Sequence, residues 1–182
     1  RSSDLAGLVT DRSVFGHCIH LSDSECRRLA EAGSVIAHCP TSNLFLGSGL
    51  FDMLQANRVG MQTVLATDVG AGTSFSLLRT MGEAYKVQQL NGYPMSVFES
   101  LYKCTLGAAK ALHLDDEIGC FGKGRKADFI VIDYAVTPSQ QVRMDYLKHH
   151  EKWTLENKLF GLQTIGDDRN ILATYIVGRR MK

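Results

Sequence analysis

The chain has 182 residues, 20 Lys+Arg against 19 Asp+Glu, a formal charge of +1, 45% hydrophobic residues and 21% charged ones. That balance is too apolar and too weakly charged for a disordered segment, and it offers no global attraction to nucleic acid or an anionic membrane. No apolar run approaches the roughly 20 residues that span a bilayer, no basic start with an apolar core marks a secretory signal, and five scattered cysteines argue against a disulfide framework. The expectation is a cytoplasmic protein with no nucleic-acid partner and no membrane partner.

Length allows one domain of common size, or one with a small addition. A chain that opens on Arg1 instead of Met is expected to be a processed product or an excised piece of something longer. Positions 1–12 carry no clear period and read as a tail or a helix remnant. Val14-Phe15-Gly16-His17-Cys18 then reads as a short buried strand ending in a histidine. Ser22-Asp23-Ser24-Glu25 is a capping-box pattern that opens a helix, and Gly33 closes it. Ser34 to Cys39 is a second buried strand, and Pro40 is expected to break regular structure after it. A small-residue loop is expected over 41–49 and a helix over 50–57.

Gln62 to Asp68 is a third strand, terminated by an acid. Gly70-Ala71-Gly72 after it can turn tightly and bring backbone amides near a ligand. Apolar residues at three- and four-residue spacing predict helices over 75–90 and 96–112. The character changes after Leu114: a glycine-rich turn (Gly119, Gly122, Gly124), a strand over 127–133, a polar stretch with a helix around 142–158, and a last strand over 171–177. Gly119 to Gly124 lacks the spacing of a phosphate-binding loop and reads as a turn. Gly166-Asp167-Asp168-Arg169 reads as a surface turn sooner than a cation site.

Buried strands alternating with helices imply parallel pairing, because each crossover returns the chain to run the next strand in the same direction. Three such strands end in His17, His38 and Asp68. In a β/α barrel the C-terminal strand ends hold the chemistry. Three units are too few for a closed barrel of about 250 residues. A doubly wound sheet stays open as a reading; the preferred one is the C-terminal portion of a (β/α)8 barrel, about its last three strand-helix units, over 1–114. Strands and a helical tail of a small β domain then occupy 115–182. The open sheet edge must be covered from outside or in some other way.

Each candidate residue has a plainer alternative. His17 can pack in a loop and bond a backbone carbonyl, and His20 three residues later sits in the turn before the capped helix. His38 divides equally between a core histidine and a functional one. Cys18 and Cys39 lack a second cysteine at short spacing and read as packing. Asp68 follows mostly apolar residues and must meet a partner, solvent or a metal. Its alternative is an N-cap, against which Gly70 to Gly72 separate it from the next helix.

Val14 to Cys18, His38-Cys39-Pro40-Thr41-Ser42-Asn43, Leu46-Gly47-Ser48-Gly49-Leu50-Phe51, Thr67-Asp68-Val69-Gly70-Ala71-Gly72-Thr73, Gly124 to Phe129 and Gly166 to Asn170 together resemble the C-terminal part of the zinc amidohydrolases, and within them the bacterial guanine deaminase family. The resemblance covers nearly the whole chain. It implies an eight-stranded barrel with one zinc, His17 as the strand-six histidine beside the metal-bound water, and Asp68 as the strand-eight aspartate, at once metal ligand and catalytic acid-base. It places His38, Ser42 and Asn43 in the substrate-binding loop of strand seven, assigns the strand over 127–133 to a small domain built from both chain ends, and implies a purine substrate and a homodimer. The strand-one His-x-His, the strand-five histidine and its glutamate are absent from this sequence. Catalytic zinc takes three protein ligands plus water, so zinc is expected in the intact parent and incomplete here, and the chain by itself is expected to be inactive. The alternatives are the same chemistry on another amino- or chloro-substituted heterocycle, or a non-catalytic interaction domain.

Overall fold

A computed structural model describes residues 7–181, so the reading of positions 1–12 falls in part, over 1–6, outside the described residues. The chain begins with strand β1 (Val14–Gly16), helix α1 (Asp23–Glu31) and strand β2 (Val35–His38). Ser22 caps α1 by accepting from the Glu25 amide, while the Glu25 side chain accepts from the Ser22 amide, the reciprocal box that the sequence spells. Gly33, with φ of 72°, takes the left-handed position that ends the helix.

Pro40 opens a helix here instead of breaking one. Helix α2 (Pro40–Phe45) starts on it, and α3 (Met53–Arg58) comes after, capped by Asp52. Proline suits a first helical position because its missing N–H has no partner there anyway. Strand β3 (Gln62–Leu65) completes a parallel sheet of order β1-β2-β3, with Val35 registered on Val14 and on Gln62. Helix α4 (Leu77–Leu90) comes next. The expected single helix over 96–112 is two, α5 (Val97–Cys104) and α6 (Leu106–Ala111), broken at Thr105 with φ of −128° and ψ of −107°.

The second sheet is antiparallel, β4 (Phe129–Ile132), β5 (Ile171–Ile176) and β6 (Arg179–Arg180), in that order. Between β4 and β5 lie α7 (Pro138–His149), α8 (Leu155–Ile165) and a 3-10 turn over Asp168–Asn170. The helix expected over 142–158 is thus two, separated where Glu151 takes φ of 55°. Helix α8 folds back onto the first half. Leu162 joins one apolar cluster with Ile36, Met53, Leu65, Met81, Ala84 and Met95. Burying side chains of this size is worth roughly 1.5–3 kcal/mol each. Among the described residues no helix is long and apolar enough to cross a membrane, and the first sheet is an open three-stranded arc, not a closed barrel.

Candidate active site

The site forms where the parallel strands end. After Gly16 the ladder goes one residue further, with the His17 amide donating to the Ala37 carbonyl at 3.0 Å, and then the chain leaves the sheet through two left-handed residues. His17 (φ 65°) and Cys18 (φ 53°) are both non-glycine, and Asp68, three residues past β3 and not in the strand as the sequence suggests, takes φ of 48°. Left-handed backbone costs a residue with a Cβ on the order of 1–2 kcal/mol. Such residues persist only where their surroundings hold them, and they gather at functional sites. The Ala66 amide donates to the His38 carbonyl, which carries β3 beside β2 up to the Asp68 turn.

These turns bring His17 and Asp68 together across 51 positions of sequence. His17 Nε2 lies 3.6 Å from Asp68 Oδ2, with the side chains 45% and 41% exposed, so a ligand can reach both. His17 Nδ1 lies 2.8 Å from Asn43 Oδ1 on α2. Asp68 is no N-cap: the next helix begins at Leu77 behind Ser76. Its turn is closed by the Gly72 amide, which donates to the Asp68 carbonyl at 2.6 Å.

Cys39, read from sequence as packing, is buried, and its thiol faces the Ala37 carbonyl at 3.3 Å, next to the His17–Asp68 pair. One ligand atom each from His17, Cys39 and Asp68 lie within 4.8 Å of one another. Cys39 is buried, which pushes its thiol above the usual range, with the His17 backbone N–H opposing that and Asp68 adding to it. The imidazole and carboxylate of this set fit zinc, whereas the buried Cys39 thiol is pushed away from the thiolate form that a zinc ligand takes. Tetrahedral bonds of about 2.0–2.3 Å place neighbouring donor atoms roughly 3.3–3.8 Å apart, and the imidazole–carboxylate separation of 3.6 Å falls in that span.

The end of β2 and the start of α2 carry a second group of polar side chains, and these are buried. His38 is fully buried and stacked on Phe51, ring centroids 4.8 Å apart. Burial first, and then the charge of Lys103, push its pKa down to about 3, so its imidazole is neutral. Ser42 and Asn43 are buried beside it in sequence. Both ring nitrogens of His38, Thr41 Oγ1, Ser42 Oγ and Asn43 Nδ2 are buried with no hydrogen-bond partner. Unpaired buried polar groups cost about 1–3 kcal/mol each, and five within six residues are a strong concentration. The structure thus sets His17 beside both Asp68 and Asn43, and buries His38 and Ser42 fully. His20 lies in the turn before α1, as its sequence suggests. Asp167 is no surface residue: it is buried, caps the 3-10 turn and holds Arg169.

A parallel strand-helix sheet with its polar groups gathered at the C-terminal strand ends, joined to a small antiparallel sheet, has the arrangement of part of a β/α barrel with a site at its catalytic face. The model of the amidohydrolase family matches residues 2–181, and the chain belongs to that family. The guanine deaminase of Escherichia coli (strain K12) is 50% identical over 173 residues, covering 95% of this chain and 38% of that protein. The solved E. coli guanine deaminase superposes with a TM-score of 0.93 at 48% identity, over 98% of this chain and 41% of that one. The guanine deaminase of C. acetobutylicum, solved with guanine bound in the active site, gives a TM-score of 0.77 at 30% identity over 97% of this chain and 41% of that one. An adenosine deaminase of Xanthomonas campestris solved with zinc gives 0.79 at 25% identity, over 97% of this chain and 38% of that one. The chain spans about two-fifths of the length of the relatives it matches.

Proposed function

We propose that this chain is the C-terminal part of a guanine deaminase, which hydrolyses guanine to xanthine and ammonia. The observation that carries the reading is the open pair of His17 and Asp68, 3.6 Å apart at strand ends of this sheet, in a chain so similar to guanine deaminases. Asp68 would hold zinc from this chain, and histidines from outside these 182 residues would complete the set, with His17 beside it and not among the ligands. When bound, zinc supplies the Lewis acidity that brings the pKa of a water to about 7.

The chain's own residues do the rest. Asp68 accepts a proton from the attacking water and delivers it to the exocyclic amine as the carbon–nitrogen bond breaks, which is general base and then general acid work by one carboxylate. His17 orients that water from the other side through Nε2. His38, Ser42 and Asn43 are assigned to the substrate-binding loop after β2; they are 0–2% exposed, so they shape that loop from within and the purine lies against its surface. Residues 1–114 form the barrel part and 115–182 the small-sheet part, with α8 tying the two. The protein acts in the cytoplasm on a small molecule, as a homodimer, and the 182-residue chain alone is inactive.

The test is turnover by the full-length protein with zinc, on a panel of guanine, cytosine, adenosine and triazines. Guanine loss is the expected result, reduced at least 1,000-fold by Asp68→Ala. Turnover of another member of the panel and not guanine would move the substrate assignment, and normal guanine turnover by the variant would remove Asp68 from the chemistry.

A further inference from the structure

The exposed imidazole of His17 is gripped from the protein side. Its Nδ1 lies 2.8 Å from Asn43 Oδ1, and Asn43 is only 2% exposed. Asn43 is itself fixed at both backbone ends: its amide donates to the Cys39 carbonyl at 3.0 Å and its carbonyl accepts from the Ser48 amide at 2.9 Å. A carboxamide oxygen only accepts, so the proton of the 2.8 Å bond must sit on Nδ1. In a neutral imidazole the second nitrogen is then bare. That nitrogen, Nε2, faces Asp68 Oδ2 at 3.6 Å, beyond hydrogen-bond length.

We propose that Asn43 is a positioning residue that locks His17 in the Nδ1–H tautomer and presents Nε2 as an acceptor beside Asp68. The inference deepens the deaminase reading, because an acceptor there fixes one hydrogen of the attacking water while Asp68 takes the other. Its physical content is independent of that reading. The left-handed backbone at His17 (φ 65°) and Cys18 (φ 53°) swings the ring out of the sheet, and the Asn43 carboxamide is the side-chain contact that stops it rotating. The same carboxamide keeps Nδ2 buried and unpartnered, so turning it over would aim N–H groups at Nδ1 and demand the opposite tautomer. The two states are chemically distinct and can be read directly.

The experiment is long-range 1H–15N correlation of the histidine-labelled 182-residue chain at a pH where imidazoles are neutral, with His17 assigned by loss of its signals in His17→Gln. The expected result is a protonated, pyrrole-like Nδ1 and a pyridine-like Nε2. Asn43→Asp, whose carboxylate also only accepts, keeps this pattern. Asn43→Leu, with no acceptor, shifts His17 toward the Nε2–H form that free histidine prefers. A wild-type ring already in the Nε2–H form overturns the proposal, and so does an unchanged tautomer in Asn43→Leu. Should the leucine variant not fold, the wild-type and Asn43→Asp spectra decide it on their own. In the full-length protein Asn43→Leu lowers kcat/KM on guanine 10–100-fold, the usual size for a group that orients a site residue. Absence of guanine turnover in the full-length wild type would sink the deaminase reading while leaving the tautomer result standing.

Discussion

Gly72→Ala is the substitution that most directly tests how the Asp68 turn is built. A Cβ at position 72 would lie 1.8 Å from the Thr67 carbonyl oxygen, 2.7 Å from the Asp68 oxygen and 2.8 Å from the Asp68 carbonyl carbon. The first distance is roughly 1.7 Å inside ordinary van der Waals contact. The clashing atoms are backbone, so no rotamer change relieves them. They belong to the loop whose closure is the 2.6 Å bond from the Gly72 amide to the Asp68 carbonyl. Overpacking normally costs 1–3 kcal/mol, and a rigid backbone collision belongs at or above the upper end, about 3 kcal/mol. Gly60→Ala is the control. There φ is +70° with open space around the new methyl group, so only the left-handed penalty of about 1 kcal/mol applies. Urea unfolding of both variants, followed by circular dichroism, gives the comparison. Gly72→Ala should lose about 2 kcal/mol more than Gly60→Ala. Equal losses would mean that the turn has slack and that Asp68 is not held by its own loop.

Two further predictions concern charge buried away from this turn. Lys103 donates to Thr63 Oγ1 at 2.6 Å and lies 3.6 Å from Glu99; burial pulls its pKa below the usual lysine range despite Glu99. The unfolded chain therefore binds more protons than the fold in that window, so stability should rise with pH up to the ordinary lysine pKa, and Lys103→Met should abolish the rise in alkaline urea titrations. Asp167 runs the other way. Its carboxyl is held well below the usual range, first by the Arg169 side chain, against burial, with Arg79 adding a weaker contact. Its stabilisation is present above about pH 4 and lost as pH falls below it. Asp167→Ala should cost about 1–3 kcal/mol at pH 7 through the lost cap and pair, with a flatter acid limb in a melting-temperature series.

The parts of this molecule that sequence makes legible are those governed by one local rule. The capping box of Ser22 and Glu25 names its helix without tertiary help, and Asp68 stands out because an acid after an apolar strand needs a partner. His17 and Asp68 could be paired in advance because both close parallel strands, and parallel strand ends share one side of a sheet. The link from His17 to Asn43 was not legible, because Pro40 reads equally as a stop and as a first helical residue. Only β2, delivering the chain at that angle, makes it a start. The break at Thr105 has no proline to mark it. Gly107 beyond it packs against Tyr102, where a Cβ would meet the ring at 2.7 Å, a contact between two short helices that no periodicity encodes. The turn at Glu151 (φ 55°) is equally silent, since glutamate carries no left-handed preference.

The distribution of polar groups along the first sheet argues for a division of labour between its two ends. Near the start of β3, Lys103 donates to Thr63, and the Thr63 hydroxyl in turn reaches Met53 Sδ at 3.2 Å. Glu99 beside Lys103 accepts from the Tyr93 hydroxyl at 2.9 Å, and Asn57 donates to that same oxygen. Every one of these polar side chains has a partner within the chain. At the opposite ends of β1–β3, five buried polar atoms between His38 and Asn43 have none, and three residues hold left-handed backbone. A satisfied network strengthens a fold; an unsatisfied one weakens it until something binds. Stabilising energy is thus gathered at the strand starts and withheld at the strand ends, the end that carries His17 and Asp68. Substitutions in the Lys103–Thr63 network should therefore move stability and leave the His17 tautomer untouched, whereas Asn43→Leu should move the tautomer.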